Sequence, residues 1–132
     1  MSSIKLTTLE YKTLMIEIKK FKLEVPIYFY ENLSDWGRMH CYNGAGADDN
    51  SIFLRWILTK LLFFCPCTVF IHDCEYTYKR KASYIIDDRF YNNGKKEIKC
   101  RLSRWNVPGR LYALGILNSA LPLIKKHGNK WS

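Results

Sequence analysis

Apolar residues recur along the chain mainly at the spacing of an amphipathic helix. Thr7 or Thr8 is placed to cap a first helix that reaches about Lys20. The stretch from Leu14 to Leu23 also nearly alternates apolar and polar residues, as a half-buried strand does. The pattern alone therefore leaves helix and strand open for part of this segment.

Between Pro26 and residue 51 the pattern predicts little helix. Pro26 ends the first segment, and residues 27–30 (IYFY) are predicted to form a short extended piece. Residues 31–50 are rich in Asn, Asp, Ser and Gly, which favour turns, and are predicted to form a loop.

Helical spacing returns after residue 50. A helix over about 51–64 is predicted, capped by Asp49, Asn50 or Ser51. Pro66 suits the first turn of the next helix, which is predicted over about 67–79.

A further helix is predicted from a cap at Ser83 through Asn92. The pair Asn93-Gly94 should stop it, because both residues tolerate positive φ. A basic tripeptide at residues 79–81 makes the connection to the preceding helix short, so the two helices are predicted to form an antiparallel hairpin.

The last helix is predicted from near Pro108 to about Lys126, with Pro122 bending or shortening it. No repeat, low-complexity tract or long linker divides the chain. We therefore expect a single, mainly α domain over residues 1–132, with the hairpin at its centre and additional N- and C-terminal helices.

No segment reads as a membrane-spanning helix. The most apolar stretch, Ile52–Ile71, contains Arg55, Lys60 and a central Pro66. Its uncharged part from residue 61 to 71 is far shorter than the roughly 20 residues that a spanning helix needs.

Positive charge is concentrated in one stretch. Of the net charge of +9, residues 1–36 contribute nothing, whereas residues 79–110 hold ten Lys or Arg against Asp87, Asp88 and Glu97. Such a stretch attracts phosphates of nucleic acids, nucleotides or anionic lipids. A well-solvated charged face is the plain alternative.

The five cysteines are an odd number, so at least one thiol stays unpaired: Cys41, Cys65, Cys67, Cys74 and Cys100. The first residues lack the apolar core and cleavage site of a signal peptide. We therefore expect a reduced, intracellular setting. The Cys-Pro-Cys spacing has no second pair that would complete a zinc site.

His72 and its neighbours suggest general-base chemistry. On a helix His72 and Tyr76 share one face, and Asp73 is rotated from His72 by about 100°. In an antiparallel hairpin that turns near residue 80, Asp88 comes level with His72. A His held by a buried Asp has its tautomer fixed, and Tyr76 can donate its hydroxyl to the same carboxylate. Water is then the expected nucleophile.

A glycine-rich loop precedes these helices. In the sequence of residues 42–46 (YNGAG), glycines at alternate positions let the backbone turn tightly and direct carbonyl oxygens inward. Ca²⁺ takes six to eight oxygen ligands, so these carbonyls with the Asp73 carboxylate suggest a calcium site. Each element has an ordinary alternative: a structural His, a simple turn, or a charge pair on a helix surface.

In combination the motifs resemble the phospholipase A2 superfamily, whose members carry a Y-C-G-x-G-G loop, an H-D-x-C-Y helix and a second helix with Asp. The matching residues are Tyr42, Gly44, Gly46, His72, Asp73, Tyr76 and Asp88. Residues 40–93 are also similar to small phage and prophage proteins with an N-G-x-G loop, an I-H-D-x-x-Y helix and an A-D-R-x-F-x-N-N segment.

The resemblance implies Ca²⁺-dependent hydrolysis of the sn-2 ester of a glycerophospholipid. His72 would activate water with support from Asp88 and Tyr76. Asp73 would hold Ca²⁺ with the backbone carbonyls of residues 42, 44 and 46. An anionic membrane surface would be the partner, with the protein peripheral to it, in the host cytoplasm if the chain is phage-encoded.

Two other readings stay open. A catalytically inactive phage-type protein on the same scaffold would bind a nucleotide or a host defence protein through residues 79–110. A nucleic-acid binder is favoured by charge, but the chain lacks a recognisable recognition motif. The oligomeric state is not indicated by the sequence.

Overall fold

The computed structural model describes residues 6–31, 33–41, 52–78 and 83–130, without the side chains of residues 41, 52–55, 58, 76–78, 83 and 123–130. These residues contain no strand and form seven helices: α1 (Thr8–Lys20), α2 (Tyr28–Glu31), α3 (Asp35–Cys41), α4 (Ile52–Phe64), α5 (Pro66–Tyr78), α6 (Ser83–Arg101) and α7 (Val107–Lys130). The prediction of a mainly α protein is confirmed.

Helix α1 begins with a capping box. The Glu10 backbone N–H donates to Thr7 Oγ1 at 3.1 Å, and the Thr7 backbone N–H donates to Glu10 Oε1 at 3.0 Å. This reciprocal pair satisfies two amides that the helix itself leaves free. The helix ends where Lys22 adopts a φ of 55°. The helical interpretation is thus confirmed over Thr8–Lys20, and the strand alternative is wrong there.

Two short helices, α2 and α3, lie in the region for which a short extended piece and a loop were predicted. The prediction is wrong for the residues of these helices. Ser34 caps α3, since the Gly37 N–H donates to Ser34 Oγ at 3.0 Å. The buried guanidinium of Arg38 donates to the carbonyl oxygens of Phe29 and Leu33, at 2.6 Å each. Tertiary bonds from Arg38 therefore hold together a segment whose composition favours turns.

Pro66 breaks the most apolar stretch of the chain into α4 and α5, as predicted. The carbonyl of Cys65 accepts the first helical hydrogen bond of α5, from Val69 N–H at 3.0 Å, which makes Cys65 the cap residue. Within the described residues, no helix has the combination of length and apolar character that crossing a bilayer requires.

Helix α6 continues through Asn93-Gly94 to Arg101, so the predicted stop there is wrong. The Asn93 side chain is buried and bonds to both backbone groups of Glu24, at 2.8 Å to its N–H and 2.7 Å to its carbonyl. Gly94 faces the buried Leu117 of α7. Both residues thus serve tertiary contacts, and neither needs positive φ.

Substitution of Gly94 and of Gly115 by alanine should have opposite effects. A Cβ at Gly94 would lie 2.7 Å from Leu117 Cδ1, whereas a Cβ at Gly115 would meet nothing within 4 Å. Gly94→Ala overpacks the core and should cost about 1–3 kcal/mol of unfolding free energy. Gly115→Ala should raise it by up to about 1 kcal/mol, the difference in helix propensity. Urea unfolding of both variants checks this, and equal effects would contradict the close α6–α7 contact.

Helix α7 extends past Pro122 to Lys130 and is not shortened. Proline removes one amide donor from a helix. However, α7 is anchored in the core by four buried residues that precede Pro122: Ala113, Ile116, Leu117 and Ala120. The burial of this face outweighs the loss of one backbone hydrogen bond.

The core has two parts, and α5 contributes to both. One part joins α5 to the N-terminal helices and is formed by Tyr11, Leu14, Ile18, Leu23, Tyr28, Phe29, Leu33, Cys67, Phe70, Ile71 and Cys74. The other joins α4, α5, α6 and α7 and is formed by Ile57, Leu61, Cys65, Val69, Phe90, Ile98, Ala113, Ile116, Leu117 and Ala120. Because α5 is covered on both sides, polar side chains on it must find partners inside the protein.

Candidate active site

Helices α5 and α6 pack in opposite directions, and polar side chains lie between them. Near one end Thr68 contacts Glu97, and near the other Glu75 contacts Arg89. Residues of α6 that face inward recur at three- and four-residue intervals: Ile86, Phe90, Asn93, Gly94, Glu97 and Ile98. We call the polar contacts between these helices the α5–α6 polar interface.

His72 and Asp87 form a buried pair within this interface. His72 Nε2 lies 3.3 Å from Asp87 Oδ1. The two residues are 9% and 3% exposed, respectively. The ring of Phe90 meets the imidazole at an angle, with 4.8 Å between centroids. A carboxylate and an imidazole are thus held together with little access to water.

The aspartate beside His72 is Asp87, not Asp88 as predicted. The predicted partner differs from the observed one by a single residue of α6, and helix rotation selects between the two. Asp87 lies three residues before Phe90, on the buried side of α6, whereas Asp88 is exposed. Reading the buried stripe from Phe90 and Ile98 would have identified Asp87 from the sequence.

The contact fixes how the imidazole carries its proton. A carboxylate only accepts hydrogen bonds, so a neutral His72 paired with it carries its proton on Nε2. Nδ1 then carries the lone pair, which is the form that accepts a proton. Burial lowers the pKa of His72 and outweighs the opposing effect of Asp87, so the neutral form is favoured.

Of the other predicted site residues, only Asp73 has a side chain among those that the structure describes. Asp73 is half-buried on α5, directly after His72. The side chain of Tyr76 and the loop with Tyr42, Gly44 and Gly46 lie outside the described residues. Among the residues that are described, no three His, Cys, Asp or Glu side chains come together as metal ligands. The roles assigned to these residues stay predictions.

One helical turn beyond His72, a second buried pair crosses the interface. The carboxylate of Glu75 is buried and accepts a hydrogen bond from Arg89 Nη1 at 2.5 Å. Desolvation raises the pKa of Glu75 to about 7, although Arg89 acts in the opposite direction. Neither residue was predicted from the sequence, where Glu75 follows an apolar run and carries no motif.

At the start of α5, Glu97 acts as a cap supplied by another helix. Its carboxylate accepts from the backbone N–H of Cys67 at 3.1 Å and of Thr68 at 2.8 Å. It also accepts from Thr68 Oγ1 at 2.7 Å and from Arg101 Nε at 2.7 Å. Because Pro66 has no N–H and Cys65 is a poor cap, α6 provides the negative charge that the helix terminus favours.

The basic stretch is not a uniform cationic surface. Two of its arginines point inward, where Arg89 pairs with Glu75 and Arg101 pairs with both Glu97 and Glu17. Residues 79–82 lie outside the description. The stretch therefore divides into arginines that hold helices together and other residues, such as Lys99 and Arg104, that are exposed.

The structure describes the side chains of four cysteines. Cys65, Cys67 and Cys74 are buried, and Cys100 is exposed. Desolvation raises the pKa of Cys65 and Cys67, so both stay protonated and behave as core residues.

Comparisons of the chain with protein-family models, with curated proteins and with solved structures found no match. The geometry of the α5–α6 interface and the sequence motifs are therefore the features that indicate a function.

Proposed function

We propose that the protein hydrolyses the sn-2 ester of glycerophospholipids in a Ca²⁺-dependent reaction, with water activated by His72. The observation that carries this proposal is the buried contact of His72 Nε2 with Asp87 at 3.3 Å. The proposed site belongs to a phospholipase A2-like arrangement in which α5 and α6 form the central hairpin of a single domain over residues 1–132.

The chain's own residues supply the proton transfers. His72, neutral and protonated on Nε2, takes a proton from water at Nδ1 as the hydroxide adds to the ester carbonyl. Asp87 holds the tautomer and stabilises the imidazolium that forms. His72 then returns the proton to the leaving alcohol, so no side chain of the protein is consumed. In this assignment Asp87 takes the role that the motif gave to Asp88, and Tyr76 supports the pair.

The calcium part of the proposal depends on Asp73 and on the carbonyl oxygens of Tyr42, Gly44 and Gly46. The half-buried Asp73 carboxylate is a suitable donor for a hard cation and lies directly beside the pair in sequence. When bound, Ca²⁺ would polarise the ester carbonyl and stabilise the oxyanion. An intracellular protein that works at the periphery of an anionic membrane fits this substrate.

Fatty-acid release from phospholipid vesicles tests the proposal directly. We expect the protein to release fatty acid with Ca²⁺ and not with EDTA, and Asp73→Asn to raise the Ca²⁺ concentration that is required. As a matched control, Asp35→Asn removes a carboxylate of α3 and should leave the Ca²⁺ requirement unchanged. Absence of release from both zwitterionic and anionic vesicles, at any Ca²⁺ concentration, would refute the enzyme.

A second candidate is a catalytically inactive binding protein on the same scaffold. The observation that favours it is that Glu75 and Glu97 both form structural contacts in the same interface. In a binding protein the His72–Asp87 pair would be a third contact of this kind. Such a protein would hold a nucleotide or a host defence protein through residues 79–110. Charge reversal at Lys79, Arg80 and Lys81 would then abolish function, whereas His72→Gln would not.

A further inference from the structure

Apolar side chains of α4, of α7 and of the residues just before α7 point away from the core and are exposed. Trp105 is 80% exposed and Phe63 76% exposed, and Val107 and Tyr112 are also exposed. Leu111 lies one helical turn after Val107 and is 64% exposed. Exposed apolar groups that adjoin one another indicate an interaction site, whereas scattered ones do not.

Ring contacts join the two helices of this surface. The rings of Phe63 and Phe64 lie 5.1 Å apart, and those of Phe64 and Tyr112 lie 5.7 Å apart, between centroids. Along α4, Trp56 and Phe63 are seven residues apart and thus on one side of the helix. Through Phe64, the exposed apolar residues of α4 are therefore joined to Tyr112 of α7.

Every charged residue that these segments contribute is basic. Residues 51–72 contain no Asp or Glu, and neither do residues 98–132. Lys60 lies over the ring of Trp56, with Nζ 5.9 Å from its centroid, and the guanidinium of Arg104 lies over Trp105 at 4.8 Å. We call this exposed surface of α4, α7 and the residues that precede α7 the acid-free face.

Two carboxylates of α6, Glu97 and Asp88, are the acidic groups nearest in sequence to the basic residues before α7. Glu97 is buried beneath the start of α5 and paired with Arg101, which also pairs with Glu17. The exposed Asp88 lies 13 residues before Arg101 in the same helix, or about 20 Å along its axis. Neither of these two described carboxylates therefore neutralises Arg104, which lies beside the exposed ring of Trp105.

We propose that the acid-free face docks on an anionic phospholipid bilayer. Aliphatic Val107 and Leu111 gain free energy in an acyl layer, and they would gain little against a phosphodiester backbone. Aromatic rings suit the interface between headgroups and acyl chains, where nearby Lys and Arg attract anionic headgroups. A second copy of the face would bring like charges together, which opposes self-association.

Sedimentation with vesicles, in EDTA, tests the docking. We expect the protein to bind vesicles of equal parts phosphatidylcholine and phosphatidylglycerol and to bind phosphatidylcholine alone much more weakly. Leu111→Ser should weaken binding about tenfold, through loss of apolar burial. Arg104→Gln should weaken it about fivefold, through loss of one cation at the surface.

Matched controls lie on α1. Ile16 is 66% exposed, close to the value for Leu111, so Ile16→Ser should leave vesicle binding unchanged. Lys12→Gln is the control for Arg104→Gln, since Lys12 is also exposed, and it should likewise leave vesicle binding unchanged. Circular dichroism of each variant verifies that the helices are retained.

Three results would each overturn the docking proposal. They are equal losses of vesicle binding in the control variants, preference for a DNA duplex over anionic vesicles, and a dimer that Leu111→Ser dissociates. The proposal does not require hydrolysis. His72→Gln should bind vesicles as the wild type does. If the wild type binds vesicles but releases no fatty acid, the proposed hydrolysis is refuted and the proposed docking is not.

Discussion

Asp87→Asn is expected to lower the rate of Ca²⁺-dependent fatty-acid release by about 10²-fold or more, whereas Asp88→Asn leaves it nearly unchanged. Asp87 lies 3.3 Å from His72 Nε2, and Asp88, one residue along α6, is exposed. An amide at position 87 can donate to the imidazole and stabilise the wrong tautomer, and it supplies no charge for the imidazolium. Initial rates on phospholipid vesicles at saturating Ca²⁺ provide the measurement.

The comparison is informative because the two substitutions remove the same charge from adjacent positions. His72→Gln should lower the rate at least as far as Asp87→Asn, and the double variant should lose little more, because the two groups act as one unit. Equal rates for Asp87→Asn and wild type, in a protein with unchanged circular dichroism, would mean that the pair is structural. A large loss in Asp88→Asn alone would restore the assignment made from the motif.

Glu97→Ala is expected to lower the free energy of unfolding by about 3 kcal/mol or more. The substitution leaves the amides of Cys67 and Thr68 without their acceptor in a buried place and removes one of the two carboxylates paired with Arg101. Domains of this size have total stabilities of roughly 5–15 kcal/mol, so a substantial share would be lost. Urea unfolding followed by circular dichroism measures the change.

A graded series makes this prediction specific. Glu97→Gln keeps one acceptor oxygen and should fall between alanine and wild type, because the cap is partly retained and the charge is lost. The exposed Lys99→Ala, two residues along α6, should change stability by less than about 0.5 kcal/mol. A loss below 1 kcal/mol for Glu97→Ala would show that water or other groups satisfy the start of α5.

Several elements could be predicted from local sequence because their causes act within a few residues. The Thr7–Glu10 capping box sets the start of α1, and Pro66 separates α4 from α5 because proline suits a first helical turn. The count of residues in the predicted hairpin also came within one residue of the aspartate that contacts His72. A mainly α protein follows from the same local rules.

Tertiary contacts determined the rest. The pair Asn93-Gly94 has the composition of a helix stop, yet α6 continues because Asn93 bonds to the backbone of Glu24 and Gly94 admits Leu117. Similarly, α3 forms in a turn-like segment because Arg38 binds carbonyl oxygens of neighbouring residues. In both segments, contacts of individual side chains therefore outweighed the local preference for a turn.

The choice between Asp87 and Asp88 shows the same division at the candidate site. The sequence by itself came within one residue of the aspartate of α6 that contacts His72, since the prediction needed only a count of residues from the turn. Which aspartate turns inward depends on the rotation of α6, and packing of Phe90 and Ile98 against the core determines that rotation. One residue corresponds to about 100° of helix, which separates a buried carboxylate from a solvated one.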